Sequence, residues 1–222
     1  MRQLFVPIGF GIMLSVAQVA SAGSLEDAFA AANRGDFATA LRLWRPLAQQ
    51  GDASAQSNLG YMYEKGDGVP RYYQEAVAWY RKSAQQGHAK GQLNLGTMYY
   101  NGYGVPQDYK QAVVWYRKAA QQGHPQAQLE LGTMYYNGHG VPQDYVRAHM
   151  WSNLAASSLS GEHGKNNRDL IAGPMTPEQI KADGKTASDN RALVARKMTP
   201  AQIERAQEMA SVCKASKYKQ CG

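Results

Sequence analysis

Chemistry in a protein needs reactive side chains within reach of one another. The candidates in this chain are His88, His124, His139, His149 and His163, the glycine pairs Gly66/Gly68, Gly102/Gly104 and Gly138/Gly140, and Cys213 with Cys221. A histidine acts as base or metal ligand only beside a nucleophile or further ligands. No H-x-x-x-H or H-E-x-x-H spacing occurs. His88 and His124 fall in one repeated turn slot, where Asp52 stands in the copy before, so both read as surface turn residues. His139 takes the variable loop position of Tyr103 and Asp67 and reads as solvated. His149 lies inside an amphipathic stretch and reads as a satisfied, neutral core histidine. The G-x-G triplets follow helices rather than strands and run into Val-Pro, so they read as turns, not phosphate loops. No catalytic residue, metal site or cofactor is expected.

The whole chain bounds these readings. It has 222 residues, 44% hydrophobic, enough for a real core, and its charge is 24 − 17 = +7. Arg2 followed by the largely apolar run from Leu4 to Ala20 and by Ala20-Ser21-Ala22 fits a signal peptide over residues 1–22, cleaved near Ala22. That predicts a periplasmic or secreted protein, with no nucleic-acid partner expected despite the basic balance. In an oxidising envelope Cys213 and Cys221 are expected to form a disulfide.

Written in rows of 36, residues 51–86, 87–122 and 123–158 repeat one pattern. The first and second rows agree at 22 of 36 positions, and so do the second and third. Dense, gapless periodicity marks stacked copies of one supersecondary unit. In the second row a first helix runs from about Ala89 to Tyr100 and ends at Asn101-Gly102. Gly104-Val105-Pro106 forms a turn. Asp108 then caps a second helix carrying the apolar stripe Tyr109, Ala112, Val113, Tyr116, Ala119, Ala120. Tyr72 takes the capping slot in the first row, so that helix lacks a capping oxygen. Gly60, Gly96 and Gly132 interrupt the first helices at a cost of roughly 1 kcal/mol each, which implies close helix contact. The ladder Trp79, Trp115, Trp151 reads as core packing. Residues 23–50 read as an edited first repeat, its loop cut to Arg34-Gly35.

The 36-residue period, the A-x-A-Q-x-x-L-G-x-x-Y of the first helix, G-x-G-V-P in the loop and A-x-x-W-Y-x-K-A-A-x-Q-G in the second helix resemble Sel1-like repeats, relatives of the tetratricopeptide repeat. The resemblance is strong over residues 51–158 and weak before them. It implies an all-α, right-handed solenoid of antiparallel helix pairs, and a scaffold that binds protein or peptide partners rather than an enzyme. A cysteine-rich branch of the family is associated with β-lactam binding and hydrolysis. Its cysteine pairs lie within the repeats, and these rows carry none.

Residues 159–222 depart from the pattern and are expected to form a helical cap. The unit N-R-x-L-x-A followed by M-T-P-x-Q-I occurs twice, at 167–180 and 190–203. Thr-Pro-x-Gln is a strong helix start. The second copy is expected to make the cap helix, and the first only a turn or two within 175–185. The segment is basic, 11 against 7, which keeps open contact with anionic glycan or lipid in the envelope.

What remains is a surface. Slots 4, 8, 11 and 15 of the first helices make one stripe clear of the apolar face. It reads Ser54, Asn58, Tyr61, Lys65, then Lys90, Asn94, Thr97, Asn101, then Gln126, Glu130, Thr133, Asn137. The amides suit an extended peptide backbone, the lysines suit carboxylates, and Tyr61, Tyr100 and Tyr136 offer flat contact area. A partner protein or peptide in this concave groove is the expected function.

Overall fold

The computed structural model describes residues 25–159 and 188–221. The signal-peptide reading and the first Thr-Pro unit fall outside them. The described residues form helices α1 (25–33), α2 (Phe37–Gln49), α3 (Ala53–Lys65), α4 (Tyr73–Gln85), α5 (Ala89–Asn101), α6 (Tyr109–Ala120), α7 (Pro125–Asn137), α8 (Tyr145–Leu159), α9 (188–195) and α10 (Pro200–Ala215), with no strand among them. Consecutive helices pack against one another in an α-solenoid, and α10 lies along α8. No described helix is long and apolar enough to cross a membrane.

The local signals act as their chemistry dictates. Asp36, Asp52 and Asp108 accept from the backbone N–H three residues on, capping α2, α3 and α6. Tyr72 makes no capping bond, so α4 begins without one. The first helices of all three repeats stop at a left-handed glycine: Gly66, Gly102 and Gly138. Thr199 and Gln202 form a reciprocal capping box at α10, with Pro200 in the first turn. Two histidines depart from expectation. His88 and His124 are not loose turn residues: each Nδ1 accepts from the backbone N–H of Gly91 or Ala127, so they cap α5 and α7 in place of an aspartate.

The core repeats slot by slot. Leu59, Leu95 and Leu131 are buried, as are Met62, Met98 and Met134, and Ala76, Ala112 and Ala148. Gly96 carries the Tyr116 ring at a distance that leaves no room for a Cβ, and Gly60 carries Tyr80 likewise. The second glycine of each loop has a different reason. A Cβ on Gly104 would run into the Tyr73 backbone of the preceding repeat, so the G-x-G loop rests on the start of the previous second helix. His139 is not solvated: its ring stacks on Tyr109 with centroids 4.6 Å apart. The tryptophan ladder is only partly core. Trp151 is buried beside the α10 residues Ala206 and Ala210. Trp79 and Trp115 are half-buried, with the Lys82 and Lys118 amines over their rings.

Glutamines tie helices together within and between the repeats. Gln92 Nε2 donates to Ala84 O, and Gln122 Nε2 donates to Gly87 O and to Gln92 Oε1. Gln56 and Gln86 make the same bonds one repeat earlier. In the third repeat Gln128 still reaches Ala120 O, but Ser158 holds the slot of Gln86 and Gln122, and the buried Gln128 Oε1 has no hydrogen-bond partner. Arg81 and Arg117 likewise donate to the hydroxyls of Tyr99 and Tyr135 in the following repeats.

Candidate functional site

Helix α3 packs directly on α5 as well as on its own partner α4. The polar stripes of the first two repeats therefore lie side by side, and α7 carries the same slots in the third. Its members differ in what they present. Asn58 is buried, not a free groove amide, while Tyr61 is 43% exposed. The Lys65 amine lies 5.4 Å from the Tyr61 ring centre and pairs with Glu64 at 3.0 Å. The hydrogen bond to Glu64 raises the Lys65 pKa. Tyr100 and Tyr136 do not offer the flat area expected of them. Tyr100 packs against Tyr109 and His139, and Tyr136 against Tyr145, half-buried at the repeat junctions. Asn101 and Asn137 are exposed at the helix ends, and Asn101 donates to Thr97 O.

Lys90, Asn94, Thr97, Gln126, Glu130 and Thr133 are half-buried on α5 and α7. Thr97 and Thr133 donate to Leu93 O and Leu129 O, and Gln126 Nε2 donates to Glu130 Oε1. Desolvation lowers the Lys90 pKa and raises that of Glu130. Neither side chain has an ion-pair partner among the described residues. A half-buried charge without a counter-ion is costly for folding, and such groups concentrate where ligands bind.

His88 and His124 stand beside this patch. Ser54 Oγ is 3.4 Å from His88 Nε2, and Ser83 Oγ is 3.1 Å from its Nδ1. Burial, then the nearby Lys90, depress the His88 pKa. Burial chiefly, with Lys90 and His88, pushes His124 down to about 4. Both rings are thus held neutral, as a capping Nδ1 must be. The Nδ1 of each ring is engaged by a backbone N–H of the helix it caps. His149 is buried in the slot of Val77 and Val113, and desolvation, then Arg191, lower its pKa. The described residues hold no cluster of three or more metal-ligating side chains. Cys213 and Cys221 are disulfide-bonded with Cα atoms 4.7 Å apart, and the closed loop places Tyr218 against Gly123.

The Sel1 repeat profile matches residues 53–88, 89–124 and 125–158. A solved Sel1 repeat protein from Oxalobacter formigenes is 32% identical, with 78% of each chain covered and a TM-score of 0.52. This chain belongs to the Sel1 repeat family. A protective antigen of uropathogenic Escherichia coli strains with the same repeat fold is 34% identical at a TM-score of 0.58. The match takes in 87% of this chain but only 42% of the antigen. Comparison with curated proteins finds no match. Sel1 repeat proteins generally mediate protein–protein interaction, and their fold is typically a non-enzymatic scaffold.

The histidine caps and the glutamine bridges were not anticipated from the sequence. His88 and His124 share a slot with Asp52, a capping residue, and that equivalence was the available signal. The bridges join residues 30 and 35 apart, and only the recurrence of Gln at two slots hinted at them.

Proposed function

We propose that this protein is an exported, non-catalytic scaffold that holds an extended segment of a partner protein along the first helices of its repeats. The supporting observation is that Lys90 on α5 and Glu130 on α7, at stripe positions of successive repeats, are half-buried and have no counter-ion among the described residues. A bound segment supplies what each lacks: a carboxylate or carbonyl for Lys90, and a backbone N–H or a basic side chain for Glu130. Export is supported by the disulfide and by the charged-then-apolar start of the chain.

The test is photocrosslinking in the native envelope. A photoreactive residue replaces Asn94 or Gln126, and a control replaces Val114, which is exposed on α6. One dominant protein captured from 94 and 126 but not from 114 is the expected result. Equal capture from all three positions would sink the groove reading.

A further inference from the structure

The third repeat keeps a glycine whose tyrosine is gone. In the first two repeats Tyr80 and Tyr116 lay their rings against Gly60 and Gly96, and a Cβ there would come within 2.7 Å of ring carbons. Both tyrosines are fully buried. Each hydroxyl finds an acceptor: Tyr80 donates to Glu64 Oε2 at 2.7 Å and Tyr116 to Thr97 Oγ1 at 3.2 Å. The same slot in α8 holds Ser152, whose small side chain faces Gly132.

The missing ring is not replaced. A cavity of about 220 Å³ lies between α7, α8 and α9, with Gly132, Ser152 and Val194 below and Thr133, Asn137 and Leu193 around it. A cavity near 150 Å³ is enough to hold benzene. Ser152 and Val194 are buried, while Asn137 is exposed and Leu193 is 46% exposed, so the floor is covered and the mouth is open. None of the described lining side chains is charged, which suits a neutral ring. Thr133 stands in the slot of Thr97 and makes the same backbone bond, to Leu129 O. Its hydroxyl oxygen therefore keeps lone pairs for a donor, as Thr97 does for Tyr116.

We propose that this cavity receives the side chain of a tyrosine presented by a partner polypeptide, its ring filling the space that Tyr80 and Tyr116 fill internally and its hydroxyl donating to Thr133 Oγ1. The proposal rests on the groove reading for the route of the partner chain, because Thr133 and Asn137 belong to both the stripe and the cavity. The apolar ring supplies the burial energy and the hydroxyl the selection. The uncharged described lining favours the neutral phenol over a phosphorylated tyrosine, whose dianion is costly to bury.

The test uses the full, oxidised protein and NMR titration of its methyl and amide signals. Three probes are p-cresol, toluene and an N-acetylated Gly-Tyr-Gly amide. p-Cresol and the peptide are expected to shift signals of Thr133, Leu193 and Val194, and Ser152→Tyr, which refills the hole internally, is expected to abolish the shifts. Thr133→Val, which keeps the shape, should weaken p-cresol about 5-fold through loss of one hydrogen bond and leave toluene unchanged. Absence of shifts at these residues, shifts that survive in Ser152→Tyr, or p-cresol binding without peptide binding would each overturn the proposal. The two readings fail separately: the groove falls if wild-type capture from position 94 is absent, and the cavity site falls on the peptide titration whatever position 94 captures.

Discussion

The ring of Tyr116 lies flat against Gly96, and a Cβ added there would sit 2.7 Å from two of its carbons. This contact accounts for a glycine inside α5. Alanine at 96 gains about 1 kcal/mol of helix propensity but must push a fully buried ring, at a typical overpacking cost of 1–3 kcal/mol. Gly96→Ala is therefore expected to be destabilising by about 1 kcal/mol in urea unfolding. The nearest atoms to a Cβ at Gly132 are the Ser152 hydroxyl at 3.0 Å and Ala148 O at 3.1 Å, with no ring against it, and Gly132→Ala is expected to cost clearly less. Equal losses at both sites would refute the ring-contact account.

The glutamine bridges predict a second difference. Gln122→Ser copies the arrangement that Ser158 already imposes on the third repeat, leaving Gln92 Oε1 buried without its donor. An unsatisfied buried acceptor costs about 1–3 kcal/mol. A fall of that size in unfolding free energy, with faster amide exchange at Gly87–Gln92, is the expected outcome.

The histidine caps make the fold acid-sensitive. His124 is neutral when folded, with its pKa pushed down to about 4 from 6.5. The unfolded chain takes up a proton near 6.5, so the unfolded state binds more protons between pH 6.5 and 4. Stability is full above that window and declines as pH falls through it. The shift corresponds to a loss on the order of 3 kcal/mol for this residue. His124→Asp, which restores the cap type of Asp52, should lose little in the same window. Unfolding curves at pH 7, 5.5 and 4.5 check this; parallel losses in both proteins would show that the cap is not responsible.

Reduction should loosen the C-terminal cap. Closing so short a loop contributes about 2–3 kcal/mol in the chain-entropy account. Paired Cys213→Ser and Cys221→Ser substitution, or reductant, is expected to lower the midpoint of thermal unfolding and to raise amide exchange in α10. Unchanged exchange there would indicate that the packing of α10 on α8 holds the cap by itself.

Much of the fold was legible because its signals are local. Glycine ends each first helix, Val-Pro breaks the chain, and Asp108 starts the next helix, all within a few residues. The repeat period then stacks the pairs. The groove was harder to read. Asn58 and Tyr100 share the helical spacing of exposed residues, yet Asn58 is buried and Tyr109 and His139 pack against Tyr100. Burial of that kind depends on what an adjacent copy places opposite, and periodicity within one helix does not carry it. The change from Tyr116 to Ser152 was visible as a broken pattern, but its result, a cavity, needed α9 in place.

The two junctions among the three repeats use the same bonds: glutamine to carbonyl, arginine to tyrosine hydroxyl, loop glycine to backbone. Such a junction is indifferent to how many precede it. A further 36-residue copy inserted after Gln122 would meet compatible surfaces on both sides and lengthen the stripe by one helix without a new interface. Molecular length is thus an adjustable quantity in this architecture, and the serines at 152 and 158 mark the point at which the interchangeable series gives way to a fixed end.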